Sequence, residues 1–160
     1  GSSTGDSHEG FVDVSKTWQS TELYPYQDLF NQPRHCGMVM TAHTVNRQLD
    51  ESGLPATLSH KILTDVLRNQ VNFNGVIVTD DMQMKAISEH YTLDKALTLA
   101  INAGADMVIF GNILTNTAQA PQEIINMIEA KVKSGEIKPE RIDDAYQHIV
   151  TFKRSLEMKS

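Results

Sequence analysis

The chain has 160 residues, 40% of them hydrophobic and 21% charged, with a formal net charge of -6, which is enough apolar material for a sizeable core in an ordinary globular unit. The acidic balance, without a Lys/Arg cluster, argues against nucleic acid or an anionic membrane surface as a partner. A single cysteine, Cys36, excludes an internal disulfide and a multi-cysteine zinc site and leaves the redox compartment undecided.

The chain opens on the polar run GSSTGDSHEG, without an initiator Met or a signal peptide, so its true beginning is expected elsewhere. Ser20 to Phe30 then reads as a short helix. Gly37 to His43 (GMVMTAH) reads as a strand. After a loop containing Pro55, Ser59 is placed to cap a helix that carries Ile62, Leu63, Val66 and Leu67 on one face. Gly75 to Asp80 is a second strand, because the β-branched run Val76 to Thr79 suits a strand buried on both faces and suits a helix poorly. A short helical segment through Met82, Met84 and Ile87 follows, then a helix from about Thr92 to Ala103 stopped by Gly104. Ala105 to Gly111 (ADMVIFG) is the third strand. Pro121 suits the first turn of a helix carrying Ile124, Ile125, Ile128 and Val132 before Gly135, and a last helix spans about Pro139 to Leu156. No apolar run approaches the roughly 18 residues of a membrane span.

Strands separated by helices predict parallel pairing and the α/β class, with about three parallel strands and flanking helices. Their nearly continuous apolar character asks for cover on both faces. A small doubly wound domain satisfies this, and so does part of a (β/α)8 TIM barrel; a whole barrel, which takes about 250 residues, does not fit. No internal repeat beyond this alternation and no low-complexity segment is present.

In either architecture functional groups gather at the C-terminal strand ends, which here present His43, Asp80 with Asp81, and Asn112. Strand alternation puts Val76, Val78 and Asp80 on one side and Ile77, Thr79 and Asp81 on the other, so only one acid can face a barrel interior. Asp81 suits a helix cap for Met82 to Ile87, whereas Asp80, crowning the Val76–Val78 column, is the candidate for chemistry. His43 is placed for a substrate contact, or for a hydrogen-bonded structural role. Asp6 and His8, taken by pattern alone, read as a solvated tail. Arg34, His35, His60, His90 and His148 lack metal-site spacing and read as surface or packing groups. Met82, Met84 and Met107 read as core fillers, and Trp18 and Tyr24 as packing of the first helix, with stacking on a sugar as the alternative.

Five segments together resemble the family 3 glycoside hydrolases, in their β-N-acetylhexosaminidase branch. GVIVTDDMQMKAI resembles the nucleophile motif, whose first Asp after Ser or Thr forms the glycosyl-enzyme; that position is Asp80. GSSTGDSHEGFVDV is similar to the mobile loop with an Asp-Ser-His dyad, here Asp6 and His8. MVMTAHTVNRQLDESGLPATLS resembles the next strand and its loop, NAGADMVIFGN the last barrel strand, and RIDDAYQHIVTFKRSL the closing helix. The family's Lys-His-Phe-Pro-Gly segment, which stands before the dyad loop, and the five strands ahead of it have no counterpart here.

The resemblance therefore implies the C-terminal part of a (β/α)8 barrel, with residues 1–16 as the dyad loop and 17–160 as the last three β/α units and closing helix. It implies a retaining, exo-acting β-N-acetylglucosaminidase acting on terminal GlcNAc, peptidoglycan fragments among the sources, with Asp80 as nucleophile and His8, held by Asp6, as acid/base. No cofactor or metal is implied. A noncatalytic half-barrel for carbohydrate binding or assembly is the alternative from another class. Transfer to phosphate is a related one, because a neutral His repels an incoming anion less than a carboxylate does. The first and third strands are expected to be open edges with exposed apolar faces, covered by a missing N-terminal half or by self-association. Cytoplasmic, periplasmic and lipid-anchored locations are all compatible.

Overall fold

The computed structural model describes residues 3, 5–32, 36–113 and 118–157, so Arg34 and His35 lie outside the described residues. In chain order, strand β1 (Val12–Asp13) is followed by a 3-10 turn over Ser20–Leu23 that runs into helix α1 (Tyr24–Phe30). Strands β2 (Met38–Met40) and β3 (Thr44–Val45) come next, then a π-helix over Lys61–Gln70. Strand β4 (Val76–Asp81) leads into the four-residue helix α2 (Lys85–Ser88) and helix α3 (Leu93–Ala103). Strand β5 (Met107–Ile109) precedes helices α4 (Pro121–Ser134) and α5 (Pro139–Glu157).

The main sheet is parallel, in the order β2–β4–β5, and β1 pairs with β3 in a separate parallel ladder. This is an α/β arrangement of parallel strands and flanking helices, without a closed barrel. β4 is central because its β-branched run has both faces to fill, and Val76, Ile77 and Thr79 have no exposed surface. Gly75 opens it at a point where a β-carbon would collide with the Gly37 carbonyl oxygen, the oxygen that accepts from the Val76 N–H at 2.9 Å. The pairing of β4 with β5 is regular at Val78–Met107 and then skips to Asp81–Ile109, an irregularity that falls at Thr79 and Asp80. Bulges of this kind bend a strand and re-aim its side chains beside functional sites.

Ile77 belongs to a core cluster with Phe30, Leu63, Phe73, Ala96 and Ala100 on the helix side of the sheet. The rings of Phe30 and Phe73 meet at 4.6 Å, and the alanines let α3 lie close against the strands. The caps follow the sequence: Thr92 Oγ1 accepts from the Lys95 N–H, Gly104 and Gly135 close α3 and α4 at φ 119° and 81°, and Ser59 Oγ accepts from the Ile62 N–H at 3.1 Å. Leu63 is buried, and Ile62, Val66 and Leu67 pack against the core.

At the opposite end from the candidate site, Asp106 ties the layers together. Its side chain is wholly buried; Oδ1 accepts from Arg141 Nη2 at 2.5 Å and from His148 Nδ1 at 3.0 Å, and Oδ2 from Arg68 Nη2 at 2.6 Å and the Ile77 N–H at 2.9 Å. Arg68 Nη2 also lies 3.3 Å from His148 Nδ1, but an arginine only donates, and the shorter contact assigns that nitrogen's proton to Asp106.

The structure corrects several expectations. β2 and β5 are each three residues instead of seven, because each has a partner on one side only. β2 makes its last link when the Thr41 N–H donates to the Val78 carbonyl, and β5 gives way to Asn112 in a left-handed conformation at φ 56°. Met82 and Met84 fill the core, but Met107 is 41% exposed. It shares its face with Val78, while Val108 takes the core side. Met40, 61% exposed, lies on the same inner face with Ile109, 37% exposed, so the two edge strands carry the bare apolar surface expected of them. Tyr24 points to solvent, whereas half-buried Trp18 lines a cavity between α1, β2 and the π-helix. His60 and His90 are exposed.

Candidate active site

Asp80 stands at the C-terminal end of β4, half-buried, past the irregularity in pairing. Its Oδ1 accepts from the Asp81 N–H at 2.8 Å. Its second oxygen accepts no hydrogen bond among the described residues. Asp81 is anchored on every side: Oδ1 accepts from the Gln83 N–H at 3.0 Å, and its carbonyl accepts from the Met84 N–H at 3.0 Å. Oδ2 sits against Gly111, where a β-carbon would stand 2.5 Å away. Asp81 thus caps the turn that enters α2, one step ahead of the helix itself.

The loop bearing Asp6 and His8 is docked, not a free tail. Its C-terminal end joins the β1–β3 ladder, and the Phe11 ring meets His90 edge-on at 5.1 Å and 70°. Within the loop Asp6 Oδ1 accepts from the His8 N–H at 2.9 Å and lies 2.8 Å from His8 Nδ1. The His8 backbone N–H and then its ring hold the Asp6 carboxyl below the usual carboxylate range. The Asp6 hydrogen bond raises the His8 pKa above its ordinary value, and the charges of Asp80 and Asp81 add to that rise. The three groups Asp6, His8 and Asp80 therefore belong to one electrostatic neighbourhood, and His8, with Nδ1 committed to Asp6, keeps Nε2 free for chemistry.

His43 lies inside the protein, with both ring nitrogens engaged. The ring has no exposed surface, Nε2 lies 2.9 Å from the Asp81 carbonyl oxygen, and Nδ1 lies 2.8 Å from Thr57 Oγ1. Burial pushes its pKa down, against the opposing pull of the Asp81 carbonyl and of the Asp80 and Asp81 charges. Asn112, at the end of the neighbouring strand, exchanges two hydrogen bonds with Gln83, at 2.7 and 3.0 Å, which ties the β5 loop to the turn after Asp81. Sequence reasoning missed Thr57, Gln83 and the Phe11–His90 contact. Thr57 is 14 positions from His43 across a loop, and no periodicity or motif marks it. Among the described residues no three His, Cys, Asp or Glu side chains gather to hold a metal, and no helix is long and apolar enough to cross a membrane.

The sequence model of the family described as the glycosyl hydrolase family 3 N terminal domain matches residues 1–152. The chain belongs to glycosyl hydrolase family 3. Among its relatives, β-hexosaminidase A of Pseudoalteromonas piscicida is 26% identical over 97% of this chain and 28% of its own length. A β-N-acetylglucosaminidase/β-glucosidase of Cellulomonas fimi is 32% identical over 67% of this chain and 18% of its own. The solved structure of a family 3 β-N-acetylglucosaminidase from Paenibacillus sp. str. FPU-7 superposes with a TM-score of 0.82 at 27% identity, over 99% of this chain and 30% of that one. The chain spans less than a third of the length of these relatives.

Proposed function

We propose that this family 3 chain supplies the nucleophile, Asp80, and the acid/base, His8 held by Asp6, of a retaining, exo-acting β-N-acetylglucosaminidase. The observation that carries this is an Asp6–His8 hydrogen-bonded pair together with Asp80 at a parallel strand's C-terminal end, whose charge adds to the rise in the His8 pKa. In the first step the ionised Asp80 carboxylate attacks the anomeric carbon. The glycosidic C–O bond breaks, and the leaving oxygen takes the His8 Nε2 proton. In the second step water attacks the same carbon, gives a proton to His8, and the aspartyl–sugar bond breaks to restore Asp80. A histidine fills both roles because its pKa lies near neutrality.

Terminal GlcNAc as substrate is supported by the β-hexosaminidase and β-N-acetylglucosaminidase relatives, with peptidoglycan fragments one source of such termini. The relative with a double name favours a β-glucoside as the second substrate. The bare inner face around Met40, Met107 and Ile109 supports completion of the sheet by further barrel strands, or by a second copy meeting the same face about a two-fold axis. It equally favours a noncatalytic half-barrel as the competing reading.

One labelling experiment separates them. The full chain is incubated with 2-acetamido-2-deoxy-5-fluoroglucosyl fluoride, in parallel with the glucosyl analogue, and followed by intact, native and peptide mass spectrometry. One sugar on Asp80, absent from Asp80→Asn, is the expected result. A folded chain that gains no adduct, or gains it on another residue, rejects the nucleophile assignment.

A further inference from the structure

We infer that His43 is a positioning residue for Asp80, locked as the Nε2–H tautomer by Thr57 and acting through the backbone of Asp81; the inference rests on the assignment of Asp80 as nucleophile.

The hydrogen bonds admit one consistent set of protons. The Asp81 carbonyl only accepts, so His43 Nε2 carries a hydrogen and donates it over 2.9 Å. Burial disfavours the charged ring, so Nδ1 is bare and must accept. Thr57 is the group that gives it a proton, over 2.8 Å; the Ala42 carbonyl, the other acceptor within reach of that hydroxyl, is farther at 3.2 Å. With its hydrogen so used, Thr57 Oγ1 accepts from the Thr41 hydroxyl at 2.6 Å. The chain of donors runs Thr41, Thr57, His43 and ends on the Asp81 carbonyl; the three donors are buried, His43 and Thr57 at 0% exposed and Thr41 at 7%, and Asp81 is half-buried.

Asp81 passes the constraint to the nucleophile. Its N–H donates to Asp80 Oδ1 at 2.8 Å, and its carbonyl is fixed at the other end of the same residue by His43 and the Met84 N–H. The residue whose N–H holds one oxygen of Asp80 is therefore fixed at its carbonyl, on the adjoining peptide plane across the Asp81 α-carbon, by a ring on β2's continuation, 38 positions away in sequence. β4 has already left regular pairing at Thr79 and Asp80, so the ladder alone does not fix this stretch. A small displacement of a reacting group is enough to cost roughly 100-fold in rate. Buried polar networks of this kind specify one arrangement when every member is satisfied.

The test uses the full chain and three variants, each followed by kcat, KM and the rate of Asp80 labelling by the fluorosugar. His43→Leu removes the donor. His43→Gln keeps an N–H for the carbonyl and an oxygen for Thr57. Thr57→Val keeps the shape of its side chain and removes only the hydroxyl that fixes the tautomer. His43→Leu is expected to lower kcat and the labelling rate together by roughly 10- to 100-fold with KM little changed, His43→Gln to restore most of it, and Thr57→Val to fall between. Nitrogen-15 NMR of His43 is expected to show a protonated Nε2 and a bare Nδ1 in the wild type, and a mixture of tautomers in Thr57→Val. A folded His43→Leu chain that labels at the wild-type rate, or a wild-type Nδ1–H tautomer, overturns the inference while leaving the nucleophile assignment intact. Failure of the wild type to label removes both. If none of the variants folds, the wild-type tautomer decides.

Discussion

The buried Asp106 cluster yields a prediction whose size follows from its contacts. Replacing Asp106 with Ala leaves Arg68 without its carboxylate, Arg141 with the exposed Asp144 as its remaining ion partner, and the Ile77 N–H without its side-chain acceptor. The guanidinium side chains are 13% and 14% exposed, so solvent recovers little of the loss. Breaking a buried pair by removing one partner costs about 3 to 5 kcal/mol. At about 2 to 4 °C per kcal/mol for a chain of this size, the thermal midpoint should fall by about 6 to 20 °C. Replacing a whole ion cluster by apolar residues is often harmless elsewhere, but here the arginines have other duties. Arg68 Nη1 donates to the Phe73 and Gly75 carbonyls, and Arg141 donates through Nε to Ile101 and through Nη2 to Ala105. The combined variant Arg68→Met, Asp106→Leu, Arg141→Met strips those carbonyls as well, and should be no more stable than Asp106→Ala. Denaturant and thermal unfolding, monitored by circular dichroism, measure both. A loss below about 1 kcal/mol for Asp106→Ala, the size of an exposed pair, or recovery in the triple variant, would refute the reasoning.

Asp6→Asn takes away the hydrogen bond and charge that raise the His8 pKa. In the proposed mechanism His8 acts first as an acid, so activity should fall as pH rises through its pKa; without Asp6 that pKa should drop back towards its ordinary value and the alkaline limb of kcat/KM should move to lower pH. An unchanged limb would free His8 of the acid role. Phe11→Ala removes the ring contact with His90 that pins the loop, a contact worth about 0.5 to 1.5 kcal/mol; kcat/KM should fall by roughly 2- to 10-fold, and limited proteolysis should cut the loop faster, whereas unchanged cleavage would show that the ladder alone holds it. Met40→Asp charges the bare inner face and should reduce the associated fraction in native mass spectrometry; an associated fraction equal to wild type would place the contact elsewhere.

The parts of the fold written in local chemistry were legible in the sequence. The β-branched run of β4, Thr92 and Gly104 bounding α3, and Pro121 and Gly135 bounding α4 each act within one turn of chain, so spacing reveals them. The lengths of β2 and β5 were not, because a strand's extent depends on its neighbour, and edge strands have one. Met107 and Tyr24 went astray for the same reason: composition says that a methionine prefers burial, but only the pleat says which face it occupies, and only the assembled layers say whether that face is covered. Asp106, Arg68 and Arg141 lie 38 and 35 positions apart and carry no pattern. Among the site residues, the Asp6–His8 spacing puts both partners on one loop, whereas the bond from His43 to Thr57 depends on where a loop returns.

Asp80 and Asp81 share one chemistry and differ in everything that surrounds it. The alternation of the strand sends Ile77 and Thr79 to the core side and leaves Val78 and Asp80 on the inner face, and pairing with β5 is interrupted at Thr79 and Asp80 before it resumes at Asp81. Asp81 then uses Oδ1, its carbonyl and its N–H on the protein itself, through the turn at Gln83, the bonds from Met84 and His43, and one oxygen of Asp80, while Oδ2 lies close against Gly111. An acid tied at so many points is held to the turn that it caps. Asp80 has one oxygen held and, among the described residues, one that accepts no hydrogen bond, which suits the nucleophile role proposed for it: the held oxygen would fix direction and the other would react. On the proposed mechanism the second acid is the mount of the first, and the pair of adjacent charges at the end of an apolar strand divides its labour between a held residue and a reacting one.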